Sequence, residues 1–80
     1  MMKLSEWNKS LEYAEEICRK MKDIDVRVSE YSMYDGRKGI YLIAYDYYGK
    51  FYKKAASGMH DTFEEMKKFL DRAAREVMMR

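Results

Sequence analysis

Eighty residues and 9.7 kDa allow one domain. The apolar share of 48% and the charged share of 38%, with no Pro and four Gly, exclude a disordered chain. A single Cys and a single His exclude an internal disulfide, a Cys-cluster zinc site and a multi-histidine metal site. No apolar run reaches the ~18 residues of a membrane span; the longest is Ile40 to Tyr45. Met1-Met2-Lys3 leads straight into a charged helical pattern, so no signal peptide and a cytoplasmic, reducing compartment are expected.

The net charge of +2 is unevenly placed: residues 1–33 carry −1, residues 34–54 carry +3 and residues 55–80 carry none. Seven of the eight Tyr fall between residues 31 and 52, in or beside the basic segment. Basic charge interleaved with aromatics suits phosphate contact and base stacking. It equally suits a protein interface, where Tyr and Arg are favoured anchors. The plainer reading is a sheet that uses Tyr because Tyr fits strands, with Lys keeping its edges soluble.

In chain order, the first element is a helix. Leu4, Trp7, Leu11, Ala14, Cys18 and Met21 step by three and four, which gathers them on one stripe that Ile17 widens. Glu6, Lys9, Glu12, Glu16 and Lys20 occupy the other face, and Ser5 is a candidate N-cap. The pattern ends at Asp23 to Asp25. Ile24, Val26 and Val28 then alternate with Asp25, Arg27 and Ser29, a strand with period two. Beyond Glu30 the apolar set changes parity to Tyr31 and Met33. Either a bulge near Ser29–Glu30 or a strand projecting past the core would produce that change.

Asp35-Gly36 marks a hairpin turn, extended by Arg37-Lys38-Gly39. The second strand, Ile40 to Tyr47, is apolar or aromatic at nearly every position, as a central strand should be. Ile40, Leu42 and Ala44 share one face; Tyr41, Ile43, Tyr45 and Tyr47 share the other. Tyr48-Gly49 makes a second turn. Phe51 to Ala56 is the third strand, and its adjacent Lys53 and Lys54 point to opposite faces.

The last helix opens at His60-Asp61-Thr62, where Asp61 with Glu64 or Thr62 with Glu65 can form a capping box. Phe63, Met66, Leu70, Ala73 and Val77 form its buried stripe, flanked by Phe69 and Ala74. Asp61, Glu64 and Glu65 come early and Arg72, Arg75 and Arg80 late, matching the helix dipole. Two apolar helix stripes and one apolar sheet face satisfy each other in an α+β fold: αβββα, an antiparallel three-stranded meander with two helices packed on one face. The other sheet face is then open and rich in Tyr.

Catalytic chemistry is not expected. Cys18 lies on the apolar helical stripe, where a buried thiol is inert. His60 stands beside a helix start without a nucleophile. Glu15-Glu16 and Glu64-Glu65 diverge by about 100° around their helices and form no acid–base dyad. No phosphate-binding glycine loop and no zinc spacing occurs, so neither cofactor nor metal is expected. Met21 and Met66 fall on core stripes; Met59, Met78 and Met79 do not and suit a sticky surface.

Three resemblances follow. The helix–three strands–helix order resembles the double-stranded RNA-binding domain in topology. That family's Lys-Lys-x-Ala-Lys at its last helix is replaced here by the acidic start Asp61-Thr62-Phe63-Glu64-Glu65, so its phosphate clamp is not carried over. Residues 39–75 resemble the arm-type DNA-binding domain of tyrosine integrases. The likeness lies in Tyr41-Leu-Ile-Ala-Tyr-Asp-Tyr-Tyr-Gly-Lys50, then Tyr52-Lys-Lys54, Ser57-Gly58, Thr62-Phe-Glu-Glu65 and Phe69-Leu70. It implies contacts to double-stranded DNA from Tyr45, Tyr47, Lys50, Tyr52 and Lys54. That family has more Lys and Arg on its strands and lacks the long first helix.

The whole chain resembles the small αβββα or βββα proteins of phages and mobile elements, several anti-CRISPR proteins among them. The likeness lies in its size, its layout and the stretch Asp61-Thr-Phe-Glu-Glu-Met-Lys-Lys-Phe-Leu-Asp71 after a hairpin. It implies a non-enzymatic protein that binds a host protein, such as a CRISPR–Cas component, and blocks its working surface. The expected partner-binding residues are Arg37, Lys38, Tyr41, Tyr45, Tyr47, Lys50, Tyr52 and Lys54. Double-stranded DNA on the same sheet is the alternative, and a homodimer through that face or a strand edge is a third reading.

Overall fold

In a computed structural model, residues 2–78 of the chain are described. Met79 and Arg80, to which the sequence assigns a sticky surface and a place in the last basic turn, lie outside the described residues. The element order is α1 (Leu4–Lys20), β1 (Asp25–Ser32), β2 (Lys38–Tyr45), β3 (Phe51–Met59) and α2 (Phe63–Met78). The strands form one antiparallel sheet in the order β1-β2-β3, the expected meander. Both helices pack on the same sheet face and on each other, α1 over β1 and α2 over β3.

That covered face follows from the even positions of β2. Ile40, Leu42 and Ala44 are fully buried, flanked by Val26 and Val28 of β1 and by Ala55 and Ser57 of β3. Trp7 and Ala14 meet them from α1, and Met66, Leu70, Ala73 and Val77 from α2. The α2 stripe is as expected. Of the α1 stripe, Trp7 and Ala14 are buried and Leu11, Ile17, Cys18 and Met21 pack half-buried against the core; Leu4 departs from it at 73% exposed, and Ser10, outside the expected stripe, is buried. Ser10 tolerates burial because its Oγ donates to the Glu6 carbonyl at 2.8 Å.

The N-cap position of α1 is Lys3, without a side-chain cap, and Ser5 lies inside the helix. The last helix is capped by Thr62, whose Oγ1 accepts the Glu65 N–H at 3.2 Å, one half of the expected capping box; the Glu65 carboxylate lies instead 3.8 Å from His60 Nδ1. A second cap comes from the other helix: Glu6 Oε1 accepts the Phe63 N–H at 3.2 Å, setting a carboxylate at the positive end of α2. Tyr13 of α1 joins the two helices further along. Its hydroxyl donates to Asp71 Oδ1 at 2.5 Å, and its ring meets Phe63 edge-on. The bond to Asp71, helped by burial, pushes the Tyr13 phenol up to about 12.

Strand bounds differ from the sequence reading. The second strand runs Lys38–Tyr45 rather than to Tyr47, and the third extends to Met59. Strand β1 pairs with β2 in unbroken register from Asp25↔Tyr45 to Ser32↔Lys38, so it carries no bulge at Ser29–Glu30. The parity change there is the projecting strand: Glu30 keeps the helix-side parity but is exposed. The irregularities lie in β3. Ser57 and Gly58 together oppose Ile40, and Tyr52 is the extra residue between the Ala44↔Lys53 and Tyr45↔Phe51 pairs. At the first bulge the Ser57 Oγ accepts the Ile40 N–H at 3.0 Å, replacing a lost ladder bond.

The two hairpins share one loop geometry. Gly36 N–H donates to Met33 and Gly49 N–H to Asp46, while Met33 N–H reaches Arg37 and Asp46 N–H reaches Lys50. Gly36 at φ 86° and Gly49 at φ 79° supply the left-handed residue that such three-residue loops require.

Candidate interaction surface

Since the helices take the even positions of β2, the odd positions stand on the open face. The register sets Tyr41 between Ser29 and Ala56, Ile43 between Arg27 and Lys54, and Tyr45 between Asp25 and Phe51. Aromatic rings and cations interleave diagonally across these rungs. Lys54 Nζ lies 4.5 Å from the centre of the Tyr41 ring, and Arg27 Cζ lies 5.1 Å from that of Tyr45. Tyr31 stacks on the other side of Tyr41, centroids 4.3 Å apart. Its ring lies across Gly39, where a Cβ would stand 2.3 Å from the Tyr31 Cζ; only glycine leaves the strand room beneath it. Burial raises the Tyr31 phenol above its ordinary value, and the neighbouring Tyr41 adds to this.

The most exposed rings stand at the hairpin tips. Tyr34 is fully exposed in the first hairpin; Tyr47 and Tyr48 are 95% and 83% exposed in the second. The second hairpin is rigid at its base, since Asp46 Oδ1 accepts both the Tyr48 and the Lys50 N–H at 2.9 Å. Beside it opens a groove of about 720 Å³, between the α1–β1 connection, the hairpin and the end of α2. Tyr45, Tyr47 and Tyr52 line it with Asp23, Asp25 and Asp46.

The eight expected residues therefore divide three ways. Tyr41, Tyr45 and Lys54 share the open face, with Tyr45 also bordering the groove. Tyr47, Lys50 and Tyr52 belong to the β2–β3 end. Arg37 and Lys38 lie at the opposite end of β2, roughly 23 Å away at a strand rise of about 3.3 Å per residue. Arg37 bonds Asp35 of its own turn, its backbone N–H donating to Oδ1 at 3.1 Å and its Nε–H to Oδ2 at 2.7 Å, and these bonds, the backbone one first, hold the Asp35 carboxyl below its ordinary range. Lys38 keeps the parity of Ile40 and lies 5.6 Å over Trp7, on the helix side. Lys53 takes the helix side and Lys54 the open face, the opposite directions expected of adjacent strand residues. Arg27, Tyr31 and Phe51 join the open face although the sequence reading passed them over. Their pairing with odd β2 residues is the signal that identifies them.

The two groups weighed for catalysis have structural surroundings. Burial, with Glu15 and Asp25 near it, pushes the Cys18 thiol up to about 11, which keeps it protonated at neutral pH. His60 Nε2 donates to the Ser57 carbonyl at 2.8 Å, and the ring stacks on Phe69 at 4.1 Å. Among the described residues no group of three His, Cys, Asp or Glu could hold a metal ion, and no helix is long and apolar enough to cross a membrane. No protein-family model, curated protein or solved structure matches this chain.

Proposed function

We propose that this chain is a small non-enzymatic binding protein, of phage or mobile-element kind, that docks on a host protein and blocks its working surface as anti-CRISPR inhibitors do. One observation carries this reading: a sheet face left open by both helices presents Tyr31, Tyr41 and Tyr45 interleaved with Arg27 and Lys54. Rigid rings with cations laid over them match the composition of interface anchors. Tyr41 and Tyr45 are the anchors, Lys54 and Arg27 set their orientation, and Tyr47 and Tyr52 extend the contact at one end. Blocking is steric and needs no bond made or broken.

Duplex DNA is the weaker reading on this geometry, because its cations are dispersed. Arg37 is tied to Asp35, Lys38 faces Trp7, and Lys50 stands at the far tip. Arg27 and Lys54 alone would give a log–log salt slope of roughly −2, against about −4 for the full basic set. The deciding experiment is a plasmid-interference assay against a panel of CRISPR effectors, with the chain and its Tyr41→Ala variant coexpressed. Restored transformation that is lost in the variant supports the proposal. No effect on any effector, together with tight duplex binding that collapses with added salt, overturns it.

A further inference from the structure

We infer that β1 is a pairing edge and that its occupant is a second copy of this chain, added antiparallel to make one six-stranded sheet. The inference stands apart from the docking reading and concerns a different surface. The sheet has two outer strands, and they differ. Strand β3 is broken at Tyr52 and again at Ser57-Gly58, and it carries Lys53-Lys54 between the bulges, the features that blunt an edge. Strand β1 keeps one register over all eight of its residues, without a bulge and with neither Lys nor Pro. The hairpin fixes which of its backbone groups point outward. Met33 N–H donates to the Arg37 carbonyl, so Met33 and every second residue before it turn their polar backbone toward β2. Val26, Val28, Glu30 and Ser32 therefore turn N–H and C=O away from the sheet, where no described residue pairs with them.

A second, independent feature points to the same edge. Glu6 and Tyr13 turn one flank of α1 to α2. Leu4, Leu11 and Cys18 lie on the opposite flank at about 100° per residue, on the side of the free edge. Leu4 is exposed, and Leu11, Cys18 and the Val28 of β1 are only half-buried, so the apolar stripe of α1 runs past the core it covers. Helix α1 rests on both β1 and β2, inside the sheet edge. Strands pair about 4.8 Å apart, so a twofold-related copy sets its own α1 roughly 10 Å from the first, the distance at which helices pack. A strand from an unrelated peptide would pair the backbone and leave that flank wet. A second copy brings the same flank to meet it, as a twofold interface requires. Parity then sets the pairing, because outward residues must meet outward residues and all four helices must stay on one face. Val28 opposite Val28 of the second copy satisfies both. It sets Asp25 against Tyr31 and Arg27 against Ser29 across the open face, with no like charges directly opposed.

Sedimentation equilibrium on the full chain measures the association. A monomer–dimer equilibrium is expected, and Glu30→Pro should weaken it roughly thirtyfold, since each copy loses one edge hydrogen bond of ordinary worth. Glu30 is exposed and its N–H points outward, so the proline removes no bond within the chain, and circular dichroism checks that the variant stays folded. Cross-linking tests the register in a Cys18→Ser background. Val28→Cys should form an intermolecular disulfide, because directly paired Cα atoms stand about 5.5 Å apart. Glu30→Cys should not, being roughly 13 Å out of line with its counterpart at about 3.3 Å per residue. A dimer lost with the proline and locked at residue 28 supports the inference. A chain that stays monomeric at millimolar concentration, a dimer that Glu30→Pro leaves intact, or cross-linking at residue 30 as readily as at residue 28 overturns it.

Discussion

The two faces of the sheet are built from the same strands and have opposite chemistry. Along β2, the even residues Ile40, Leu42 and Ala44 are aliphatic and buried, while the odd residues Tyr41, Ile43 and Tyr45 face away from both helices. The covered face interlocks with two helices and uses shape. The open face uses rings and cations that cover one another in part, Tyr31 on Tyr41 and Lys54 over it, leaving the aromatic surface half-buried without a helix. A one-residue slip of register would exchange the two sets, so the alternation that makes the core also fixes the candidate interface.

The strongest way to break this division is from the core side. Leu70 is fully buried on α2, and Leu70→Ala should cost about 2–5 kcal/mol. That is a large part of the roughly 4–12 kcal/mol expected of an 80-residue domain. The urea midpoint should fall steeply. A fall no larger than that of an open-face variant would mean that the two faces do not divide stability from contact as their burial implies.

Tyr41→Ala sharpens the comparison from the other side. The chain should remain folded, losing about 1 kcal/mol from the Tyr31 stack and the Lys54 contact. A partner that uses Tyr41 as an anchor should lose about 2 kcal/mol, roughly thirtyfold in affinity. Circular dichroism and a binding titration on the same sample separate the two quantities. Unchanged affinity would move the interface off this face.

The parity of β2 was legible in the sequence as two sets of residues, but not which set the helices cover, because a strand that is apolar or aromatic at nearly every position offers either face to a core. The α2 stripe was legible outright, because its apolar residues recur at helical period. Less legible was whatever depends on a polar atom finding a partner. Ser10 falls outside the apolar stripe and is buried through its hydroxyl's bond to the Glu6 carbonyl, and Glu6 reads as solvated until it caps the other helix. The β3 bulges fall in Tyr52 and in Ser57-Gly58, stretches with no apolar period to interrupt. The parity change at Tyr31 was visible but read two ways. It resolves only when Gly39 is seen to make room for the ring on the open face.

That contact gives the next test. Gly39→Ala places a Cβ 2.3 Å from Tyr31 Cζ, so the ring must swing off and give up its stack on Tyr41, a loss of about 1 kcal/mol. In a Tyr31→Ala background the same substitution should be nearly neutral. Urea unfolding of the four members of this cycle measures the coupling directly. An equal loss in both backgrounds would place the strain in the strand itself and not in the ring above it.

The smallest expected effect lies on the covered side, where one polar pair interrupts the division between shape and chemistry. Tyr13 ties α1 to α2 through Asp71, and its phenol is raised from 10.0 to about 12, first by that bond and then by burial. A group raised in the folded state contributes its full stability below its ordinary value and loses it as pH rises through the folded one. The contribution should therefore be constant up to about pH 10 and fade between 10 and 12. Tyr13→Phe should cost about 1 kcal/mol at neutral pH, the usual worth of one hydrogen bond. The difference between wild type and variant should shrink across that window while other titrations cancel. A difference that stays constant with pH would mean that the ring contributes by its edge-on packing against Phe63, which the Phe variant retains in part, and that the carboxylate of Asp71 is held by water instead.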